Sequence, residues 1–319
     1  MKYFKKAAIS KGLVAASTLI LTTSLFAAEK KQEVDFSTTE VSPGLYMLAG
    51  VGGFTGGNIG LSVGEDGVVM IDDSMPPLLD KMKKSIKSVT DKPVDFLINT
   101  HVHGDHTGNN ENMGKEGTRI VAHENLRQHL LTKGIRTQKG NEKAPKAALP
   151  VITFSHSMSF HLNGEDAKIF HVAHAHTDGD AVIHFKNANV IHMGDTFFNG
   201  MFPFIDLDSG GSVDGFIKAQ KKVYKLSNDD TKIIPGHGPL ANKKDLKMAI
   251  EMLVDVRKII TKLVKQGKSE AEVVKLNPLA KYDAKWTWGF ISTERMTKQI
   301  YRGVKEGHKH AKEKGHHSH

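Results

Sequence analysis

The stretch "THVHGDHTG", residues 100–108, sets three histidines and one aspartate into the six positions from His101 to His106. Folding alone asks for no such density of imidazole and carboxylate in a glycine-bearing turn. His101 and His103 are two apart, so on an extended chain their side chains leave from the same side. Asp105 and His106 follow in the turn that Gly104 permits and can point to a neighbouring spot. Neutral imidazole is the commonest zinc ligand, and an aspartate oxygen is a normal one. One such run offers ligands to two adjacent metal ions and completes the shell of neither.

Further donors stand at other strand-to-loop junctions. They are His174 and His176 in "AHAHTDGD", Asp195 in "HMGDTFF", and His237 in "PGHGP". In order, the run His-x-His-x-Asp-His, then His-Thr-x-Gly-Asp, then Gly-Asp, then Gly-His-Gly resembles the metallo-β-lactamase superfamily over about residues 36–240. The resemblance implies an α/β fold, a four-layer αββα sandwich with its site at one edge between the sheets. It also implies one zinc on His101, His103 and His176 and a second on Asp105, His106 and His237. Asp195 would bridge the two, as the matching aspartate does in glyoxalase II and the lactonases. His176 is preferred to His174 because Thr177, Gly179 and Asp180 follow it as the family pattern requires. His174 points the same way on an extended chain and stays open as the alternative.

Such a pair of ions implies hydrolysis. Zinc lowers the pKa of its bound water to about 7, and two ions ~3.5–4 Å apart can hold the hydroxide and polarise a carbonyl or phosphoryl oxygen. Asp105 would also orient the nucleophile and shuttle a proton to the leaving group. The chain has no cysteine, which excludes the zinc-ligating cysteine of many acquired β-lactamases. The donor set looks instead like the all-histidine lactamase subclass with the bridging aspartate of esterase-like members. The expected substrate is a small molecule: a cyclic amide, lactone, ester or thioester, β-lactams included.

Three alternatives remain. The single-iron persulfide dioxygenases share the fold but do not use the second site that His106 and His237 would complete. Phosphodiesterases and RNA-processing nucleases share it too, but export and the lack of a strongly basic stripe count against nucleic acid. A non-enzymatic periplasmic metal-binding protein is suggested by the five histidines of the tail "GHKHAKEKGHHSH".

Other residues read more plainly. His123, His129, His156, His161, His171, His184 and His192 are expected to be hydrogen-bonded structural groups. One of Asp72 and Asp73, at the end of "GVVMIDD", is expected to brace the site from below by accepting backbone N–H groups. For the substrate, Phe54 in "VGGFTGGNIG" is a candidate flap. Phe197 and Phe198, with Met201, Phe202 and Phe204, form a candidate apolar wall after Asp195. Trp286 and Trp288 read as anchors for a helix.

The elements that must position these groups alternate between strand and helix. "GLYMLAG", "NIGLSVG" and "GVVMIDDS" read as strands between glycine turns, and "LLDKMKKSIKSV" as an amphipathic helix. "PVDFLINT" is a short strand running into the histidine run. "TRIVAHE" is a strand, "ENLRQHLLTKG" a helix, and residues 134–150 a polar loop. "VITF", "MSFHL", "AKIFHVA", "AVIHF" and "NVIHMGD" form a second strand series. The helix "DGFIKAQKKVYKL" and the strand of "TKIIPGHGP" follow. From Asn242 the pattern is helical, with a new helix capped by Ser269 and Glu272. The expected division is a signal peptide over 1–28, a metallo-β-lactamase-like domain over 29–240, and a helical extension with a histidine-rich tail over 241–319.

The first 28 residues carry four lysines, then 17 uncharged residues from Gly12 to Ala28 ending in small side chains. That layout predicts export to the periplasm or medium, with cleavage after Ala27 or Ala28. The competing reading is a membrane anchor, which the serines and threonines of the stretch oppose. Removing these residues takes the net charge from +9 to +5, a solvated surface rather than a nucleic-acid footprint. Composition, with 39% hydrophobic and 25% charged residues, is that of a globular protein.

Overall fold

The computed structural model describes residues 33–137 and 139–315, with side chains described as far as residue 306. The expected signal segment and the side chains of the histidine-rich tail lie outside the described residues.

The chain opens as an antiparallel meander of β1 (Asp35–Ser42), β2 (Leu45–Val51), β3 (Ile59–Gly64) and β4 (Gly67–Ile71). α1 (Leu79–Lys87) then leads to β5 (Phe96–Ile98). The short helices α2 (Gly104–Thr107) and α3 (Asn110–Lys115) lead to β6 (Arg119–His123). α4 (Glu124–Thr132) precedes a small hairpin, β7 (Ile135–Thr137) with β8 (Gly140–Glu142), in the segment expected to be loop. β9 (Ile152–Phe154) completes a seven-stranded sheet of order β1-β2-β3-β4-β5-β6-β9, parallel from β4 onward.

The second sheet is built from β10 (Ser157–Leu162), β11 (Glu165–His171), β12 (Ala181–Phe185) and β13 (Val190–His192), all antiparallel. α5 (Val213–Leu226) crosses over to β14 (Lys232–Ile234), parallel to β13, and β15 (Ala241–Asn242) closes the edge. α6 (Lys243–Lys265), α7 (Glu270–Lys275), α8 (Asp283–Trp286) and α9 (Thr293–Gly315) form the helical C-terminal part. The capping box expected at Ser269 and Glu272 starts α7, and Asn242 with Asp245 makes another at the start of α6.

Alternation along the strands explains the layers. Val69, Ile71, Ile98 and Val121 of the first sheet pack on Ile169, Ile183, Val190 and Ile234 of the second. Their neighbours Val68, Met70, Leu97 and Ile120 face the other way, onto Met82 and Ile86 of α1 and Met113 of α3. In the second sheet Phe170, Val182, Ile191 and Ile233 face outward onto α5, α6 and α9. Successive side chains of a strand point to opposite faces, so strands buried on both sides fill three interfaces and make four layers, αββα. The C-terminal helices share the outer core of the second sheet, with Leu253, Val256, Trp286, Met296 and Ile300 in one cluster with Phe216 and Val223.

The two parallel pairs, β4 with β5 and β13 with β14, run in register, Ile71 opposite Ile98 and His192 opposite Ile234. Their carboxyl ends emerge together, where open α/β sheets collect their functional groups.

Candidate metal centre

Every sequence-predicted donor lies at this edge. His101 and His103 follow β5, and Asp105 and His106 occupy consecutive positions of the single turn α2. Asp195 follows β13 and His237 follows β14. His176 comes from the loop between β11 and β12. One group of converging donor atoms comprises His101, His103, His176 and Asp195; another comprises Asp105, His106 and His237. Asp195 stands between them. Its Oδ2 lies 3.5 Å from His176 Nε2 and 3.7 Å from His101 Nε2. Its Oδ1 lies 3.0 Å from His106 Nε2 and 3.4 Å from His237 Nε2. Asp105 Oδ2 is 3.4 Å from His237 Nε2 and 3.6 Å from His106 Nε2. His174, the alternative to His176, is exposed; its ring nitrogen Nδ1 bonds the Gly210 carbonyl, and it joins neither group.

The rings are fixed from behind. His106 Nδ1–H donates to Asp72 Oδ2 at 2.7 Å, and His176 Nδ1–H donates to the Phe204 carbonyl at 2.8 Å. His103 Nε2–H donates to Asp206 Oδ2 at 2.8 Å. Thr100 Oγ1 donates to Asp72 and so receives His101 Nδ1–H at 3.0 Å. Ionised carboxylates and carbonyls only accept, so these bonds assign the tautomers. Each ring then turns its other nitrogen inward. His103 Nδ1 and His176 Nε2 face each other at 2.9 Å, and His101 Nε2 and Asp195 Oδ1 are buried with no aligned partner. Lone pairs aimed at one another in a buried site, braced by outer carboxylates, are the donor set of a divalent cation such as zinc.

The charges agree. Burial, aided by its histidine neighbours, holds His101 well below its usual range, and burial takes His176 down to about 4. Against burial, Asp195 and Asp105 lift His237 to about 9 and, with Asp72, lift His106 well above its usual range. Burial opposes ionisation of Asp105 as well, but His106 and His237 bring it down to about 2. Without metal, protons on His106 and His237 balance the two carboxylates.

Backbone approach is close. A Cβ on Gly57 would stand 2.0 Å from His106 Cε1, and one on Gly236 would stand 2.0 Å from Asp195 Oδ1. Asp72, with φ of 61°, occupies the left-handed region, which aspartate tolerates better than most residues. Asp72 is the expected brace: beyond His106 it receives the Thr100 N–H at 2.7 Å. Its neighbour Asp73 receives the Asn109 N–H at 3.0 Å and ties down the loop before α3. His123, His171 and His192 are structural as expected; the first two stack at 3.9 Å, and His192 packs beneath the site near the Asn58 carbonyl.

The donors open into a cleft of about 870 Å³ lined by Phe54, Phe198, Phe204, Trp288 and Phe290, among others. Phe54 and Phe198 are thus where expected. Phe197 is not: it is wholly buried in the core against the outer helices. Phe197 and Phe198 are consecutive on extended chain, so only one can face the cleft. Trp286 is a core anchor, whereas Trp288, expected to be one too, also lines the cleft. Sequence reasoning missed Asp206, the partner of His103; "FIDLDSG" carries no motif, and the contact spans 103 residues.

A family model described as the metallo-beta-lactamase superfamily matches residues 52–237. A 2,4-dinitroanisole O-demethylase subunit alpha from Nocardioides sp. (strain JS1661) is 26% identical over 140 residues, 43% of this chain and 40% of that relative's length. Among solved structures, a metallo-beta-lactamase from Pontibacter korlensis superposes with a TM-score of 0.58 at 17% identity, over 69% of this chain and 99% of its own. The DIM-1 metallo-beta-lactamase gives 0.56 at 14% identity, over 70% and 99%. At such identities the likeness concerns the fold.

Proposed function

The chain belongs to the metallo-beta-lactamase superfamily, and on that premise we propose that it is an exported dinuclear zinc hydrolase acting on a cyclic amide, lactone, ester or thioester. Members of the superfamily are mostly hydrolases or related enzymes. The observation that carries the reading is the division of Asp195, with Oδ2 toward His101 and His176 and Oδ1 toward His106 and His237. In this reading His101, His103 and His176 hold one ion, Asp105, His106 and His237 hold the other, and Asp195 lies between.

A bound pair of zinc ions supplies a water acidified toward a pKa of about 7 and a polarised substrate carbonyl. The chain's own residues do the rest. Asp105, ionised and acceptor-only at neutral pH, takes a hydrogen bond from the attacking water, which aims it, and then carries a proton to the leaving group. Asp206 and Asp72 keep His103 and His106 from turning. Phe54 and Phe198, each stacked on the ring of His237, shield that side of the cleft from bulk water.

A single-iron dioxygenase would leave His106, His237 and Asp105 convergent without an ion, so the two-ion reading is favoured. The relative named for 2,4-dinitroanisole adds an activated aryl ether to the substrates worth trying. Export rests on the lysine-led, uncharged, small-residue start of the chain; the mature protein then begins at Ala28 or Glu29.

The test is turnover of a chromogenic cephalosporin, a lactone, a thioester and an aryl ether by zinc-loaded protein, with and without chelator. Chelator-sensitive turnover of one of them is expected. Protein holding its zinc that turns over none would contradict the reading.

A further inference from the structure

The walls of the cleft differ in origin and chemistry from its floor. Phe54, 55% exposed, and Phe290, 46% exposed, are the two widely exposed phenylalanines among the described residues, and both line this cleft. Trp288 lies between, with its ring 5.7 Å from Phe290, 6.2 Å from Phe198 and 6.2 Å from His237. Its Nε1–H donates to the Phe202 carbonyl at 2.9 Å, which fixes the indole. Aromatic rings left open around one hollow cost solubility and suit a flat apolar group.

The same cleft is lined by two of the chain's six arginines, Arg136 and Arg295. Arg257 and Arg302 pair with carboxylates, but neither Arg136 nor Arg295 has a carboxylate partner among the described residues. Arg295 is nonetheless held: its guanidinium lies 3.8 Å from the Phe290 ring centroid, and Nη1 donates to the Phe290 carbonyl at 3.0 Å. A stacked guanidinium with its remaining N–H groups free is a carboxylate receptor, since its planar fork matches the two oxygens. Trp288, Phe290 and Arg295 all lie outside residues 52–237, in the C-terminal helical part rather than the frame shared with the superfamily.

We propose that the segment Trp288–Arg295 selects the substrate. It takes an aryl or similarly flat apolar group against Phe54, Trp288 and Phe290, and a carboxylate on Arg295. The proposal rests on the cleft being the substrate site of the hydrolase inferred above.

Calorimetric binding of 2-naphthoate, 2-naphthylmethanol and acetate to the zinc-loaded full chain tests it without turnover. Naphthoate is expected to bind about tenfold or more tighter than either other probe. Arg295→Ala is expected to erase the advantage over naphthylmethanol, and Phe290→Ala to weaken both naphthyl probes alike, with zinc content unchanged in both variants. A naphthoate advantage that survives Arg295→Ala would seat the carboxylate on the metals or on Arg136 and overturn the proposal. Equal binding of naphthoate and acetate would overturn it as well. Arg295-dependent binding in a protein that hydrolyses nothing would remove the hydrolase reading and leave the selectivity; turnover without that binding would do the reverse.

Discussion

Asp72 receives the Nδ1–H of His106 at 2.7 Å, and both side chains are wholly buried. The same carboxylate accepts from Thr100 Oγ1, which in turn receives His101 Nδ1–H. One aspartate that touches no substrate thus orients a donor in each half of the cluster. Loss of such an outer partner typically costs 10–100-fold in metal affinity. Asp72→Asn, which puts an amide where three donors converge, is expected to weaken zinc binding by about that factor. Competition against a chromophoric chelator measures it; wild-type affinity in the variant would refute the orienting role.

His176 and His174 make a second contrast. His176 Nε2 meets His103 Nδ1 at 2.9 Å, whereas His174 is exposed with φ of 52°. His176→Ala is expected to lose the ion on the His101 side. His174→Asn, chosen because asparagine tolerates that backbone, is expected to keep the full zinc content. The opposite pattern in metal analysis would reverse the assignment.

Gly57 carries a prediction about space. Its missing Cβ leaves room for the His106 ring, which an alanine methyl would meet at 2.0 Å. Gly57→Ala is expected to destabilise the fold by about 1–3 kcal/mol, the usual range for overpacking, and to lower zinc affinity together with stability. Denaturant unfolding and a zinc titration read the two effects. A variant that is neutral in both would show that the ring moves freely.

The pH dependence follows from His237 and His106. In the metal-free protein, against burial, their carboxylate neighbours raise both, His237 to about 9. A histidine with a raised folded pKa adds stability that is fully present below its unfolded pKa of about 6.5 and lost as pH rises through the folded value. His101 and His176, kept neutral by burial, titrate below this window. The metal-free protein is therefore expected to lose stability between about pH 6.5 and about 9, where zinc-loaded protein does not. Zinc must displace those protons, so binding near neutral pH is expected to release them, measurable as buffer-dependent heat. Identical pH profiles with and without zinc, and no proton release, would contradict this.

The donors could be read from the sequence because each sits in a short motif at a strand end, where local spacing and topology coincide. Strands such as "GVVMI" and helices such as α6 were legible for the same reason, their periodicity being local. β1, with alternating but mostly polar "DFSTTEVS", gave too weak an apolar signal to be singled out. Phe197 and Phe198 were indistinguishable because strand phase, and hence which face is core, depends on the partner layer. Asp206, Trp288 and Arg295 were not legible as site residues at all. Their places are set by how α9 and the loop after β13 pack, and no local pattern encodes that.

A two-ion site divided by Asp195 fixes the number of zinc ions that each chain retains after loading and dialysis. The count should be made on the wild type and on a variant carrying both His106→Ala and His237→Ala. Two ions in the wild type and one in the variant is the predicted result. A single ion in the wild type, or a count that the double substitution leaves unchanged, would contradict it.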